Sequence, residues 1–197
     1  MTPYRQIRAD FDRDTIVVYQ AYSPSIGVPA AAAGKFVPPF SMNRMTWIKP
    51  SFLWMMERSN WARKSNQECV LAVRITRRGW EEALTSAVLT HPDESVYTDV
   101  DDWRRRSSEA LVQVQWDPER SIRGGKLEYR SIQVGLSRHI VERYVDEWIV
   151  GIDDMTPRVR KMASMIAEGD VDKAKVLLPK ERPYPLTPEI GRLIGAS

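Results

Sequence analysis

The sequence predicts an α+β fold: a single domain with a mixed, mainly antiparallel sheet system and helices after it. Three observations point there. Residues 15–22, 69–76, 110–116 and 130–136 carry strand patterns, either alternating apolar and polar or briefly all apolar. Apolar residues at helical spacing recur between and after them. The alternation of the two is too irregular for a doubly wound parallel sheet, and no glycine-rich phosphate loop follows any strand. Composition does not break before about residue 153, so an α+β core over residues 1–153 and a helical extension over residues 154–197, packed on that core, are expected.

Residues 1–14 are polar and are expected to wrap the surface. Thr15–Tyr22 (TIVVYQAY) is rich in the β-branched and aromatic residues of strands. Its alternation puts Gln20 on the apolar face of Ile16 and Val18, where a local hydrogen bond is the plain explanation and a ligand the sharper one. Ile26–Ala33 reads as a short helix stopped by Gly34, and Phe36–Phe40 as extended chain.

Met45–Ile48 reads as a short strand, Lys49-Pro50-Ser51 as a turn, and the chain from there to about Trp61 as a helix. Proline has a preset φ and no amide proton, which suits a first helical turn, and Ser51 can accept from a free amide. Lys49 and the turn amides would then sit at the positive end of a helix, a place suited to an anion. The alternative is a core helix whose Trp and Met side chains fill space.

Glu68–Thr76 (ECVLAVRIT) is nearly all apolar, as a buried strand is, with Cys69 packing as a small apolar group. Thr76 caps a helix running to about Leu89, and His91-Pro92 ends it. Residues 92–108, with Asp99, Asp101, Asp102 and Arg104-Arg105-Arg106, read as a solvated charged loop. Ala110–Trp116 alternates cleanly, Trp116–Arg120 turns out of the strand, and Gly124-Gly125 makes a second turn. Tyr129–Leu136 sets Ile132, Val134 and Leu136 on one face against Ser131, Gln133 and Gly135 on the other. Ser137 caps a helix striped by Ile140, Val141, Tyr144, Val145 and Trp148, followed by a strand at Trp148–Ile152. Thr156-Pro157 opens a helix with Val159, Met162 and Ile166, a short one follows to Leu178, and the Pro-rich end is extended.

The totals bound the function. The 29 basic and 26 acidic residues nearly balance, a mild lean towards polyanions. A single cysteine excludes an internal disulfide framework, and with two distant histidines it argues against a Cys/His metal cluster, so no metal is expected. No apolar run approaches a membrane span and no signal core opens the chain, so it reads as soluble, cytoplasmic and without a membrane partner.

Several strings together carry a resemblance: VVYQAY, FVPPFS, MTWIKPSFLWMM, VLAVRITRRG, VQWDPER, YRSIQVGL and YVDEWIV. The chain resembles the family of domain of unknown function 4291 over roughly residues 3–185. It is also similar, more loosely, to the ADP-ribosyltransferase-like fold. That second resemblance implies NAD as substrate, with Gln20 and Tyr22 on the adenosine side and Thr46, Trp47 and Ser51 around nicotinamide. Lys49 and the turn amides would face the pyrophosphate, and Gln133 on a late strand would orient the ribose. It departs where Gln20 replaces the usual Arg or His, where Lys49-Pro50-Ser51 replaces Ser-Thr-Ser, and where the late strand lacks Glu. The branch of that fold that processes RNA phosphates relies on cations, which Arg44, Lys49, Arg120 and Arg130 would supply, and Gln133, Lys49 and Arg130 are the expected catalytic residues.

Three functions therefore compete. One is an NAD-binding, ADP-ribosyltransferase-like enzyme acting on a nucleic-acid or phosphate-bearing substrate. Another is a non-catalytic module for single-stranded RNA or DNA, using Arg44, Arg58, Arg63, Lys64, Arg120 and Arg104–Arg106 beside aromatic side chains. The third is a small-ligand or protein-interaction domain. For the enzyme, Gln20, Tyr22, Thr46, Trp47, Lys49, Ser51, Arg130 and Gln133 are expected to line one cleft.

Overall fold

The computed structural model describes residues 2–197. Its first half runs β1 (Arg8–Ala9), β2 (Thr15–Tyr22), α1 (Pro24–Ala33), β3 (Thr46–Ile48), α2 (Phe52–Ser59), β4 (Cys69–Thr76), α3 (Arg77–Thr85) and β5 (Ala87–Leu89). There follow α4 (Val100–Ser108), β6 (Val112–Arg120), β7 (Lys126–Leu136), α5 (Val141–Arg143) with a π-helical turn over Tyr144–Trp148, and β8 (Ile149–Asp154). The chain closes with α6 (Thr156–Ala167), α7 (Val171–Val176), β9 (Arg182–Pro183) and α8 (Pro188–Leu193).

Two sheets organise the molecule. One is antiparallel with the order β2-β4-β8, and the other has the order β3-β7-β6-β5, with only β5 running parallel to its neighbour. β1 and β9 form a separate pair. The fold is thus α+β with mainly antiparallel sheets, as its strand patterns imply. The near-continuous apolar run of β4 is explained by burial on both faces. Leu71, Val73 and Ile75 join Ile16 and Val18 in a main core that extends to Val112, Val114, Ile132 and Val134 of the second sheet. Val70 and Ala72, with Val17 and Tyr19, face a second cluster made by α2 and α6 through Phe52, Met55, Met56, Val159 and Met162. Each large side chain buried in this way stabilises the fold by about 1.5–3 kcal/mol.

The sheets meet at one point and then part. Tyr19 donates its amide to the Lys49 carbonyl at 2.6 Å, an isolated bridge between β2 and the end of β3. Beyond it, the end of β2 and the start of β3 form no ladder. That split opens the cavity described below.

Several local expectations are corrected. The helix after Thr76 ends at Thr85, and Ala87–Leu89 is a strand. Residues 92–108 are not all loop: Asp99 accepts the Asp102 amide at 2.7 Å and starts α4, whose Arg105 and Arg106 pair with Asp102. β6 continues through residues 116–120 to Arg120, with an irregularity at Pro118, and only Ser121–Gly125 turns. Ser137 does not cap the following helix, which begins at Val141. The Pro-rich end holds β9 and α8, the latter capped by Thr187. Of the polar start, Met1 lies outside the described residues, while Ile7 and Ala9 are buried in the main core. From the tail, α6 packs on β4, whereas Tyr184, Ile190 and Ile194 enter the main core.

Candidate functional site

A cavity of about 910 Å³ occupies the split. Gln20 and Tyr22 of β2 and Thr46, Trp47 and Lys49 of β3 form one wall. Trp54, Met55 and Arg58 of α2 form the next, Gln115, Asp117 and Gln133 on the open face of β6 and β7 the third, and Arg44, Asn66 and Gln67 the rim. The structure therefore brings together six of the eight residues expected to share a cleft.

Lys49 is the most telling of them. Only 7% of it is exposed, and among the described residues its ammonium has no hydrogen-bond or ion-pair partner. Nζ lies 5.0 Å from the centroid of the Trp54 ring, a cation–π contact that offsets little of the cost of burying a charge. Burial first, and then the Arg58 guanidinium, bring the Lys49 pKa down from 10.5 to about 7, while Asp117 works in the opposite direction. An amine so placed gains a great deal from an incoming anion.

The turn after Lys49 corrects a second expectation. Pro50 precedes the helix instead of opening it, and Ser51 is the cap, accepting the Trp54 amide at 3.1 Å. Ser51 is absent from the cavity lining. It is buried, and its hydroxyl donates to Glu119 Oε1 at 2.9 Å. The first helical amide, that of Phe52, is taken by Glu181 Oε1 at 2.7 Å. A carboxyl group of the chain itself thus occupies the helix start, and burial raises its pKa to about 8. The Phe52 amide is not free for a ligand anion, whereas Lys49 is.

Asp117 carries a role that the sequence reading missed. Gln115 Nε2 donates to its Oδ1 at 2.9 Å and Gln133 Nε2 to its Oδ2 at 2.7 Å. Gln115 and Gln133 are register partners across β6 and β7, so the two amides hold the carboxylate from both sides. Gln133 is consequently a positioning residue for an acid, rather than a substitute for one. The signal was present: Gln113, Gln115 and Asp117 continue the polar face of a strand that the turn reading stopped at Trp116. Trp47 lies beside them, opposite Gly135. A Cβ at Gly135 would come within 2.9 Å of the indole ring, so glycine is what lets that ring lie against the sheet.

Gln20 is satisfied within the protein. Its Oε1 accepts from the Tyr144 hydroxyl at 2.7 Å, and its Nε2 donates to Tyr22 Oη at 2.7 Å and to the Trp47 carbonyl at 3.3 Å. Burial lifts the Tyr22 pKa far above the usual phenol value, so it stays neutral. This network clamps the two diverging strands at the back of the cavity. It supports the wall and leaves no demand for a ligand at Gln20.

The other expected residues scatter. Arg44 and Arg58 are exposed at the mouth. Arg130 does not line this cavity but a second one. Arg120 pairs with Glu57 at 3.3 Å and donates to the Gly124 carbonyl, and Arg63 and Lys64 are exposed away from the lining. Arg104 pairs with Asp101, so the arginine run of α4 is largely spent on its own helix. Among the described residues no group of three or more His, Cys, Asp or Glu could hold a metal ion, and no helix is long and apolar enough to cross a membrane.

The family model described as Domain of unknown function (DUF4291) matches residues 6–184 of the chain. No curated protein and no solved structure matches the chain.

Proposed function

We propose that this chain, which belongs to the DUF4291 family, binds NAD in the cavity at the sheet split and acts as an ADP-ribosyltransferase-like enzyme on a nucleic-acid or phosphate-bearing substrate. The observation that carries this reading is the pairing of opposite demands in one cavity. Lys49 is buried without an anion, with Arg44 and Arg58 at the mouth, while Asp117 is fixed as an acceptor by two amides on the facing sheet. NAD has the matching polarity, with an anionic pyrophosphate in the middle and a cationic pyridinium at one end. Trp47, Trp54 and Tyr22 supply aromatic walls for its two ring systems. A volume of about 910 Å³ is of the size that holds such a ligand.

The chemistry follows from charge placement. Heterolysis of the bond between ribose C1′ and the pyridinium nitrogen leaves the electron pair on nicotinamide, which departs neutral, and a cationic oxocarbenium on the sugar. A carboxylate already oriented by Gln115 and Gln133 stabilises that cation without reorganising. An acceptor oxygen then bonds to C1′ and releases its proton to solvent. Lys49 and the two arginines hold the phosphates, so their binding energy fixes the sugar beside Asp117.

Isothermal titration with NAD and with ADP-ribose, in two buffers of different ionisation enthalpy, tests this. Both ligands should bind, with proton uptake at about pH 8 because the pyrophosphate restores the Lys49 proton. Asp117→Asn should keep ADP-ribose binding and lose nicotinamide release by about 10²-fold or more, the scale of a lost electrostatic stabiliser. Binding without proton uptake, or none of either ligand, rejects the assignment.

A further inference from the structure

Gln115 and Asp117 also line a second cavity, of about 360 Å³. It lies where β5 stops at Leu89 beside β6, and its remaining walls are Thr90–Asp93 and the side chains of Tyr4, Arg5 and Arg130. The Gln115–Asp117 stretch of β6 therefore borders both cavities.

We propose that this second cavity is a subsite for the terminal nucleotide of a single nucleic-acid strand. Its role as the acceptor subsite rests on the NAD reading above, whereas the binding itself does not. Arg130 is the anchor. Its Nε donates to Tyr4 Oη at 2.6 Å and its Nη1 to the Trp116 carbonyl at 3.0 Å, which locks the plane of the guanidinium. No carboxylate pairs with it among the described residues, and Nη2 is left to a ligand. Arg5 next to it is different, since Asp93 neutralises it at 2.6 Å. Asp93 is held at a pKa of about 2 by Ser95 and Arg5, so that pair stays closed at physiological pH.

The lining thus offers one fixed, unneutralised cation, which suits one phosphodiester rather than a polyanionic track. The Tyr4 ring lies 5.3 Å from the Arg130 guanidinium and is 51% exposed, a platform on which an unpaired base can stack. A cavity of about 360 Å³ suits one nucleotide rather than a base pair, so a single strand is selected over a duplex. An acidic peptide would bring charge to Arg130 but no base to the exposed Tyr4 ring.

Fluorescence anisotropy with a 3′-labelled single-stranded RNA pentamer tests the subsite, with an acidic pentapeptide and duplex RNA as competitors. Arg130→Gln and Tyr4→Ala should each weaken RNA binding about 10-fold or more while leaving NAD binding in the first cavity unchanged. Tyr4 is at the surface, so its variant reports even where Arg130→Gln unfolds the edge of β7. Lys49→Met should retain the RNA and lose NAD. If RNA binding is absent, or is equal in wild type and both variants, the subsite is rejected; displacement by the peptide rejects its chemical class. RNA binding that depends on Arg130 and Tyr4 in a protein that ignores NAD upholds the subsite and rejects the NAD reading alone.

Discussion

Lys49→Met should make the protein more stable and unable to bind its ligand. The lysine titrates near 7 in the folded chain against 10.5 when unfolded, chiefly because it is buried. Between those values the unfolded chain carries a proton that the folded chain lacks, so stability rises with pH across the window and is lost as pH falls through it. The gap, at about 1.4 kcal/mol per pH unit, sets a ceiling of about 4 kcal/mol on the penalty at neutral pH. Water in the open cavity lowers that, and methionine keeps the packing on Trp54, so a gain of about 2 kcal/mol, or roughly 4–8 °C in Tm, is expected. Calorimetric melts of both proteins should show the largest gain near pH 7 and a shrinking one towards about pH 10. A variant that melts lower than wild type at neutral pH, or whose gain ignores pH, would show that the ammonium has a partner in the free protein. Lys49 would then be a structural residue and not an anion-binding one.

Glu181 should show the opposite slope. Its folded pKa of about 8 exceeds the ordinary 4.5, so the folded chain holds the extra proton between those values and stability falls as pH rises through them. Glu181→Gln should therefore melt higher than wild type above pH 8, by about 1–3 kcal/mol in urea titrations, and show little gain near pH 4.5. A gain of equal size at both ends would contradict this. Gly135→Ala drives a methyl group against the Trp47 ring and should cost about 1–3 kcal/mol and weaken NAD binding, as read by melts and titration. Gly79→Ala, whose Cβ would lie 2.3 Å from Trp148, should cost as much stability yet leave the affinity of the folded protein unchanged, because it touches the core and not the cavity.

The strands that carry the site were legible because each buries a face. Alternation in β2, β6 and β7 and the apolar run of β4 are direct consequences of which side meets the core. Elements stabilised otherwise left weaker traces. β5 has three residues, too few for a period, and α4 has no apolar stripe, being held by the Asp99 cap and its own ion pairs. The sequence also supplied most of the cavity. Lys49 beside a turn and Gln20, Thr46 and Gln133 in apolar strands stand out because a buried polar group must find a partner. It could not say which partner. Gln20 finds Tyr144, 124 positions downstream, and the Phe52 amide finds Glu181, 129 positions downstream, while Lys49 finds none among the described residues. Likewise the second oxygen of Asp117 is held only because Gln133 arrives beside it on the neighbouring strand. Burial is encoded locally, residue by residue along one chain. Pairing depends on where distant segments close on one another, and so the difference between a satisfied wall and a cavity that still calls for an anion was decided by the tertiary structure.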